Sequence, residues 1–260
     1  MKNILVTGCK GQLGNEIQLL APKYEDECTF FFTDKEELDI TDRKAVYTFI
    51  EKHSIGIVIN CAAFTAVDKA EENEELCNLL NNVAPGYLAE AVASVGGTMI
   101  QVSTDYVFDG KGCIPYKEED ATNPQTVYGR TKLAGEENVI RSCAGSMVIR
   151  TAWLYSTFGN NFVKTMIRLG KERDALGVVF DQVGSPTYAR TWLAPLCTLW
   201  IKALCRGYIT SPMRVFAHGM TLHVPFIVLR VLIAKLVPST PKTTLCLQHV
   251  HTSRCLTRAK

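Results

Sequence analysis

Residues Asn3 to Thr7 form a short apolar run, and Gly8-Cys9-Lys10-Gly11-Gln12-Leu13-Gly14 follows at once, ahead of a helical pattern from Glu16 to Leu20. No other stretch limits the fold so tightly. Glycines at this spacing allow a tight turn, a close backbone approach to a pyrophosphate, and close packing of helix on strand. The first turn of the helix then offers unpaired N–H groups and a partial positive charge to the phosphates. A second apolar run, Thr29 to Thr33, ends in Asp34, twenty positions beyond Gly14, where a carboxylate can take ribose hydroxyls. Strand, glycine loop, helix, strand and acid in this order predict an α/β dinucleotide fold, a Rossmann-type doubly wound parallel sheet.

The alternation continues. Gly56 to Ala62 reads as a strand, Ala70 to Val95 as largely helical, Thr98 to Ser103 as a strand, Glu136 to Cys143 as the end of a helix begun near Tyr128, and Met147 to Ala152 as a further strand. Such alternation predicts a parallel sheet covered on both faces. Asn60 and Ser103 fall near strand ends, so the loops after them are the expected site edge. Residues 1–156 therefore read as a dinucleotide-binding domain. A smaller, incomplete substrate domain is expected over 157–206, with a strand at Gly177 to Phe180 and a turn-rich loop from Asp181 to Thr187.

Tyr128 and Lys132 stand four residues apart, downstream of Ser103-Thr104-Asp105-Tyr106. On a helix these two share a face. A free tyrosine titrates near pH ~10, and a nearby cation pulls it towards the working range of an acid-base catalyst. Alone, the spacing is that of an ordinary helix surface; beside a dinucleotide loop it becomes a candidate catalytic pair.

Composition excludes several classes. A net charge of +2 gives no electrostatic case for nucleic acid or an anionic membrane as partner. Met1-Lys2 leads straight into the first strand rather than into a signal peptide, so a cytoplasmic protein is expected. The ten cysteines include no C-x-x-C and read as reduced core residues. Cys246, His249, His251 and Cys255 match no common zinc spacing, so no metal is expected. Leu222 to Val237 is apolar but interrupted by Pro225, Arg230 and Lys235, and reads as a buried or interfacial segment rather than a membrane span.

Taken together, residues 1 to 206 resemble the extended short-chain dehydrogenases and, within them, the dTDP-4-dehydrorhamnose reductases. The resemblance runs through the glycine loop, Leu38 to Asp42, Asn60 to Glu71, Ser103 to Gly110, Tyr128 to Lys132, Arg150 to Tyr155 and Asp181 to Thr187. It implies NADH- or NADPH-dependent reduction of the 4-keto group of a dTDP-deoxysugar to dTDP-L-rhamnose, a precursor of bacterial polysaccharide; a homodimer is one assembly compatible with the sequence, which leaves the oligomeric state open. Tyr128 would give the proton, Lys132 would hold the nicotinamide ribose and lower the phenol pKa, and Thr104 with Ser103 would bond the substrate oxygen. Gly8, Gly11, Gln12, Leu13, Gly14, Asp34, Asp39, Ile40, Ala62, Ala63 and Phe64 are the implied cofactor-side positions. Val67, Thr104, Asp105 and Trp153 are the implied sugar contacts. Asp34 favours NADH, while Lys10 and Lys35 could accept a 2′-phosphate. Two other readings stand beside this one: a sugar-nucleotide epimerase or dehydratase, and a non-catalytic dinucleotide-binding regulatory protein.

The resemblance stops at Gly207. From there to Lys260 there is no Asp or Glu, while seven Lys or Arg and four of the five histidines occur. Back-translated with only synonymous codon choices free and read from the third base of the Gly207 codon, GYITSPMRVFAHGMTLHV can be re-read as IYHFSNEGVCSWYDFTC, which looks like the expected continuation of these reductases. A single base lost near this codon would account for the atypical tail over 207–260.

Overall fold

The computed structural model describes residues 2–111, 116–178, 184 and 186–190, together with the backbone of 215–217 and 236–238. Five expected strands are present: β1 (Lys2–Thr7), β2 (Cys28–Thr33), β3 (Ile55–Asn60), β4 (Thr98–Thr104) and β5 (Met147–Thr151). With β9 (Val215–Ala217) they form a parallel sheet in the order β2-β1-β3-β4-β5-β9. The sixth strand lies in the atypical tail and was not expected. The chain runs from β1 outward to β2 and then returns past β1 to β3, so the order reverses between β1 and β3. Ligands of open α/β sheets collect in the crevice at such a reversal, outside the carboxyl ends of the strands.

The period-two geometry of a strand sends neighbouring side chains to opposite faces. Ile4 and Val6 therefore meet Leu13 and Ile17 of α1 (Gln12–Leu20) on one face, with Ile57, Ile59, Ile100 and Ile149 from the other strands. Leu5, Val58 and Met99 face the other side, against Val46 and Ile50 of α2 (Arg43–Lys52), Leu88 of α5 (Ala84–Ser94) and Val139 of α6 (Val127–Ser142). Caps fix two of these starts: Asp42 accepts from the Ala45 N–H at 3.0 Å, and Thr126 from the Gly129 N–H at 3.0 Å.

The expected helical span Ala70 to Val95 is broken into pieces. α3 (Val67–Glu72) stops at Asn73, α4 (Glu74–Asn78) follows, and Leu79–Val83 forms a wide turn in which the Ala84 N–H reaches the Leu79 carbonyl. Pro85 has no N–H to offer Asn81, so the regular ladder cannot continue there. Gly135 of α6 lies against the Asn81 carbonyl, where any Cβ would collide with it.

Trp153, with φ +48°, turns the chain from β5 into β6 (Leu154–Tyr155), which pairs with β8 (Thr187–Tyr188). The chain divides into two compact units, Met1–Asn161 with Ser185–Leu222, and Phe162–Gly184 with His223–Lys260. The second contains α7 (Phe162–Glu172) and β7 (Leu176–Val178), paired with β10 (Leu236–Pro238). Phe180, Asp181 to Val183, Ser185 and the Cys246, His249, His251, Cys255 group lie outside the described residues, as does the rest of the Leu222 to Val237 segment before β10.

Beneath the site, α6 and β5 are joined by a buried ion pair. Arg150 holds Glu136 through two nitrogens, Nη2 at 2.6 Å and Nε at 3.0 Å, while Ser103 donates to the same carboxylate and the Phe108 ring lies 5.0 Å from the guanidinium. Removing one partner leaves an uncompensated buried charge. Arg150→Met is expected to lower stability by about 3–5 kcal/mol in urea unfolding, and adding Glu136→Leu to restore much of that loss.

Candidate active site

The glycine loop is a cradle that side chains would fill. Gly8 adopts φ +65°, and a Cβ there would lie 2.7 Å from the Ala62 nitrogen and 2.9 Å from the Cys61 carbonyl carbon. A Cβ on Gly14 would strike the Gly8 oxygen and Cys9. Gly11 stands at the N-cap of α1 and bonds back to the Gly8 carbonyl at 3.0 Å, and no side chain caps the helix. The first N–H groups of α1 are thus left for an anion. Leu13 itself is buried in the core, and the Gln12 amide is turned to Leu154 O at 3.5 Å and Asn161 at 3.0 Å. What these two positions offer the cradle is therefore backbone.

At the far side of the loop, Asp34 accepts from the Lys10 N–H at 3.2 Å and the Lys35 N–H at 2.9 Å. The Lys10 ammonium pairs with Glu36 at 2.6 Å in solvent. Asp39 accepts the N–H and hydroxyl of Thr41, bonds that hold its carboxyl below the usual range. Ile40 is a core side chain. Phe64 is gripped through its backbone by Asn81, whose amide accepts its N–H at 2.8 Å and donates to its carbonyl at 3.0 Å. Ala63 lies between this clamp and Ala62. Neither Asn81 nor the clamp was foreseen, although two asparagines within an otherwise helical run signal a break.

Tyr128 lies on the first turn of α6 and Lys132 one turn further, and both are buried. Tyr128 shares a small buried cluster with Ala70, Cys77 and Val127, and Phe64 and Val67 pack against that cluster. Tyr106 meets the Tyr128 ring edge-on at 5.5 Å. Burial pushes the Tyr128 phenol up to about 12, and its hydrogen bond with Thr104 pulls the other way. Thr104 also donates to Asp105 at 3.1 Å, and burial raises the Asp105 carboxyl. Lys132 donates to the Val102 carbonyl at 2.7 Å; burial pulls it down to about 8, opposed by the Glu136 carboxylate and by Cys61 and Cys77. The expected lowering of the phenol by Lys132 is not what this arrangement gives. The ammonium is engaged with a carbonyl, and desolvation dominates both groups. Ser103 faces the Glu136–Arg150 pair, whereas Thr104 faces the phenol. Trp153, 42% exposed, stands at the turn after β5.

Gly14→Ala is expected to weaken binding of a dinucleotide roughly 5–100-fold through overpacking against Gly8 and Cys9, with the circular-dichroism spectrum unchanged. Titration of a nucleotide against both proteins checks this.

The family model described as RmlD substrate binding domain matches residues 1–216. A dTDP-4-dehydrorhamnose reductase of Streptomyces griseus is 43% identical over 201 residues, 77% of this chain and 66% of the relative. The match therefore spans just under two thirds of that relative. Among solved structures, a dTDP-4-dehydrorhamnose reductase of Clostridium acetobutylicum aligns with TM-score 0.80 and 40% identity over 92% of this chain and 84% of its own. One of Bacillus anthracis, solved in complex with NADP, aligns with TM-score 0.79 and 35% identity over 93% and 85%. With a matching model across residues 1–216, the chain belongs to the RmlD substrate binding domain family.

Proposed function

We propose that this chain is built for NADH- or NADPH-dependent reduction of the 4-keto group of dTDP-4-dehydro-L-rhamnose. What supports the reading most is a single arrangement: Tyr128 and Lys132, one helical turn apart and both buried, at the carboxyl end of β4, with Thr104 bonded to the phenol. The residues fit the cofactor. Gly8 and Gly14 leave backbone surface that a Cβ would occupy, α1 begins with uncapped N–H groups, and the Asp34 carboxylate after β2 lies against the Lys10 N–H of the glycine loop. Gln12 and Leu13 would bind the pyrophosphate through their N–H groups, with Gly8, Gly11 and Gly14 leaving room for it; Asp34 would take the adenosine ribose, and Asp39, Ile40, Ala62, Ala63 and Phe64 would border the cofactor. A bound reduced nicotinamide supplies the hydride.

The chain's own residues supply the rest. As charge grows on the sugar oxygen, Tyr128 gives its proton to the developing alkoxide and Thr104 donates a hydrogen bond to it. A phenol raised to about 12 stays protonated across neutral pH, which is the form a proton donor needs, and an alkoxide is a stronger base than the phenolate left behind. Lys132 would hold the nicotinamide ribose and offset that phenolate. Asp105, Val67 and Trp153 are proposed sugar contacts. Ser103 would act through Glu136, holding α6 on β4. The same reading carries a cytoplasmic homodimer; no described helix is long and apolar enough to cross a membrane.

We also propose that residues 207–260 come from a shifted frame. The acid-free tail supports this, and the family match ends within it, at residue 216. Dinucleotide binding would then survive in this chain while turnover is weak, and restoring the frame would recover turnover. An intact frame reproduced by resequencing independent DNA would refute the proposal.

In the frame-restored protein, Tyr128→Phe is expected to lower kcat about 10²–10⁴-fold and leave dinucleotide affinity unchanged, measured by nicotinamide absorbance and by calorimetry. Lys132 is an ammonium below pH about 8 and neutral above it. Dinucleotide affinity is therefore expected to fall as pH rises through that value, and Lys132→Met to abolish the step.

A further inference from the structure

Two buried amides link the end of the glycine-loop strand to Lys132. Thr7 donates its hydroxyl to Asn60 Oδ1 at 2.5 Å, and the Ala62 N–H donates to the same oxygen at 3.2 Å. Asn60 Nδ2 donates to Gln101 Oε1 at 2.8 Å, and Gln101 Nε2 donates to the Val102 carbonyl at 2.8 Å. That carbonyl is the one that receives Lys132 Nζ at 2.7 Å. Asn60 is 0% exposed and Gln101 2%.

The direction of the chain is forced. Ala62 N–H can only donate, so it must meet the Asn60 oxygen, and the Asn60 NH2 is left facing Gln101. The Gln101 oxygen must then accept, which aims its own NH2 at Val102. Reversing either amide would set donor against donor. The Val102 carbonyl thus accepts from both the Gln101 amide and the lysine. Amides inside strands are costly unless every group is paired, and an apolar residue would serve packing alone at lower cost.

We propose that Gln101, oriented by Asn60, is a positioning residue that fixes the Val102 carbonyl as a seat for the Lys132 ammonium. The role rests on the proposed function only in what Lys132 does next, which is to meet the nicotinamide ribose. Because Asn60 also holds the Ala62 N–H against the Gly8 turn, one hydrogen-bonded line ties the cradle to the lysine. Glu136 on α6, Cys61 after β3 and Cys77 on α4 are the other titratable groups acting on that ammonium.

The test uses the full chain and Gln101→Met, which keeps length and volume but donates nothing. Calorimetry is run with NADH and with ADP, whose diphosphate reaches the glycine loop but which has no nicotinamide half. NADH affinity is expected to fall about tenfold, the loss of one oriented hydrogen bond, with ADP affinity unchanged within about twofold. In nucleotide-free protein labelled with ¹³C-lysine, the Lys132 resonance, assigned with Lys132→Met, is expected to titrate at a lower pH in Gln101→Met than in the parent. Equal losses for both ligands, or no loss and an unmoved midpoint, would overturn the assignment and leave Gln101 a packing residue. Should the parent chain fail to bind NADH, the proposed function falls and the lysine titration alone decides the positioning role. If Gln101→Met does not fold, Gln101→Glu replaces it: its carboxylate is expected to draw the ammonium away, raising the lysine midpoint and weakening NADH selectively. An unmoved midpoint there contradicts the seat.

Discussion

A methyl group at position 8 or 14 could not be accommodated without moving backbone: one would meet Ala62 and Cys61, the other Gly8 and Cys9. That close approach sets almost everything else in the molecule. It brings the turn after β1 against the turn after β3 at the reversal of strand order, and it aims the uncapped start of α1 into the crevice between them. The walls of the crevice are strands packed on both faces, with Ile4, Leu5 and Val6 wholly buried.

Electrostatics in this crevice run opposite to the simplest expectation. Two ionisable groups on one helix face were expected to lower one another's cost of charging. Instead both are desolvated, and each moves towards its neutral form, the phenol upward and the ammonium downward. The protein offsets this through fixed dipoles and charges rather than through the pair itself. Thr104 serves Tyr128, while the Val102 carbonyl and the Glu136 carboxylate serve Lys132. Arg150 grips the Glu136 carboxylate through two nitrogens, and Ser103 donates to it. The ion pair that fastens α6 to β5 thus also supports the lysine one turn away.

The parallel sheet was legible because apolar runs bounded by glycines and acids repeat in the order that such a fold needs, and β1 to β5 lie within a residue or two of the expected runs. The Tyr128–Lys132 spacing was legible for a similar reason, since helix period alone puts both on one face. What periodicity does not carry is partner identity. Asn81 clamps Phe64, Gln101 meets Asn60, and Glu136 meets Arg150 only through tertiary contacts, which the period of their own elements does not encode. Ala70 to Val95 is largely helical as expected, but where it breaks was not legible: Asn73, the Asn81-Asn82 pair and Pro85 mark the breaks only once the turns are seen. Ser103 and Thr104 could not be separated from sequence, because adjacent strand residues take opposite faces and the choice depends on which face meets α6.

The central claim is that Tyr128 and Lys132 form a reacting pair beside a dinucleotide held by the glycine cradle. A crystal structure of the chain grown with NADH tests it most directly. Pyrophosphate oxygens are expected on the N–H groups at the start of α1 and the Lys132 ammonium within hydrogen-bonding distance of the nicotinamide ribose, with the Tyr128 hydroxyl beside the nicotinamide. A dinucleotide seated elsewhere, or a nicotinamide half directed away from α6, would contradict it.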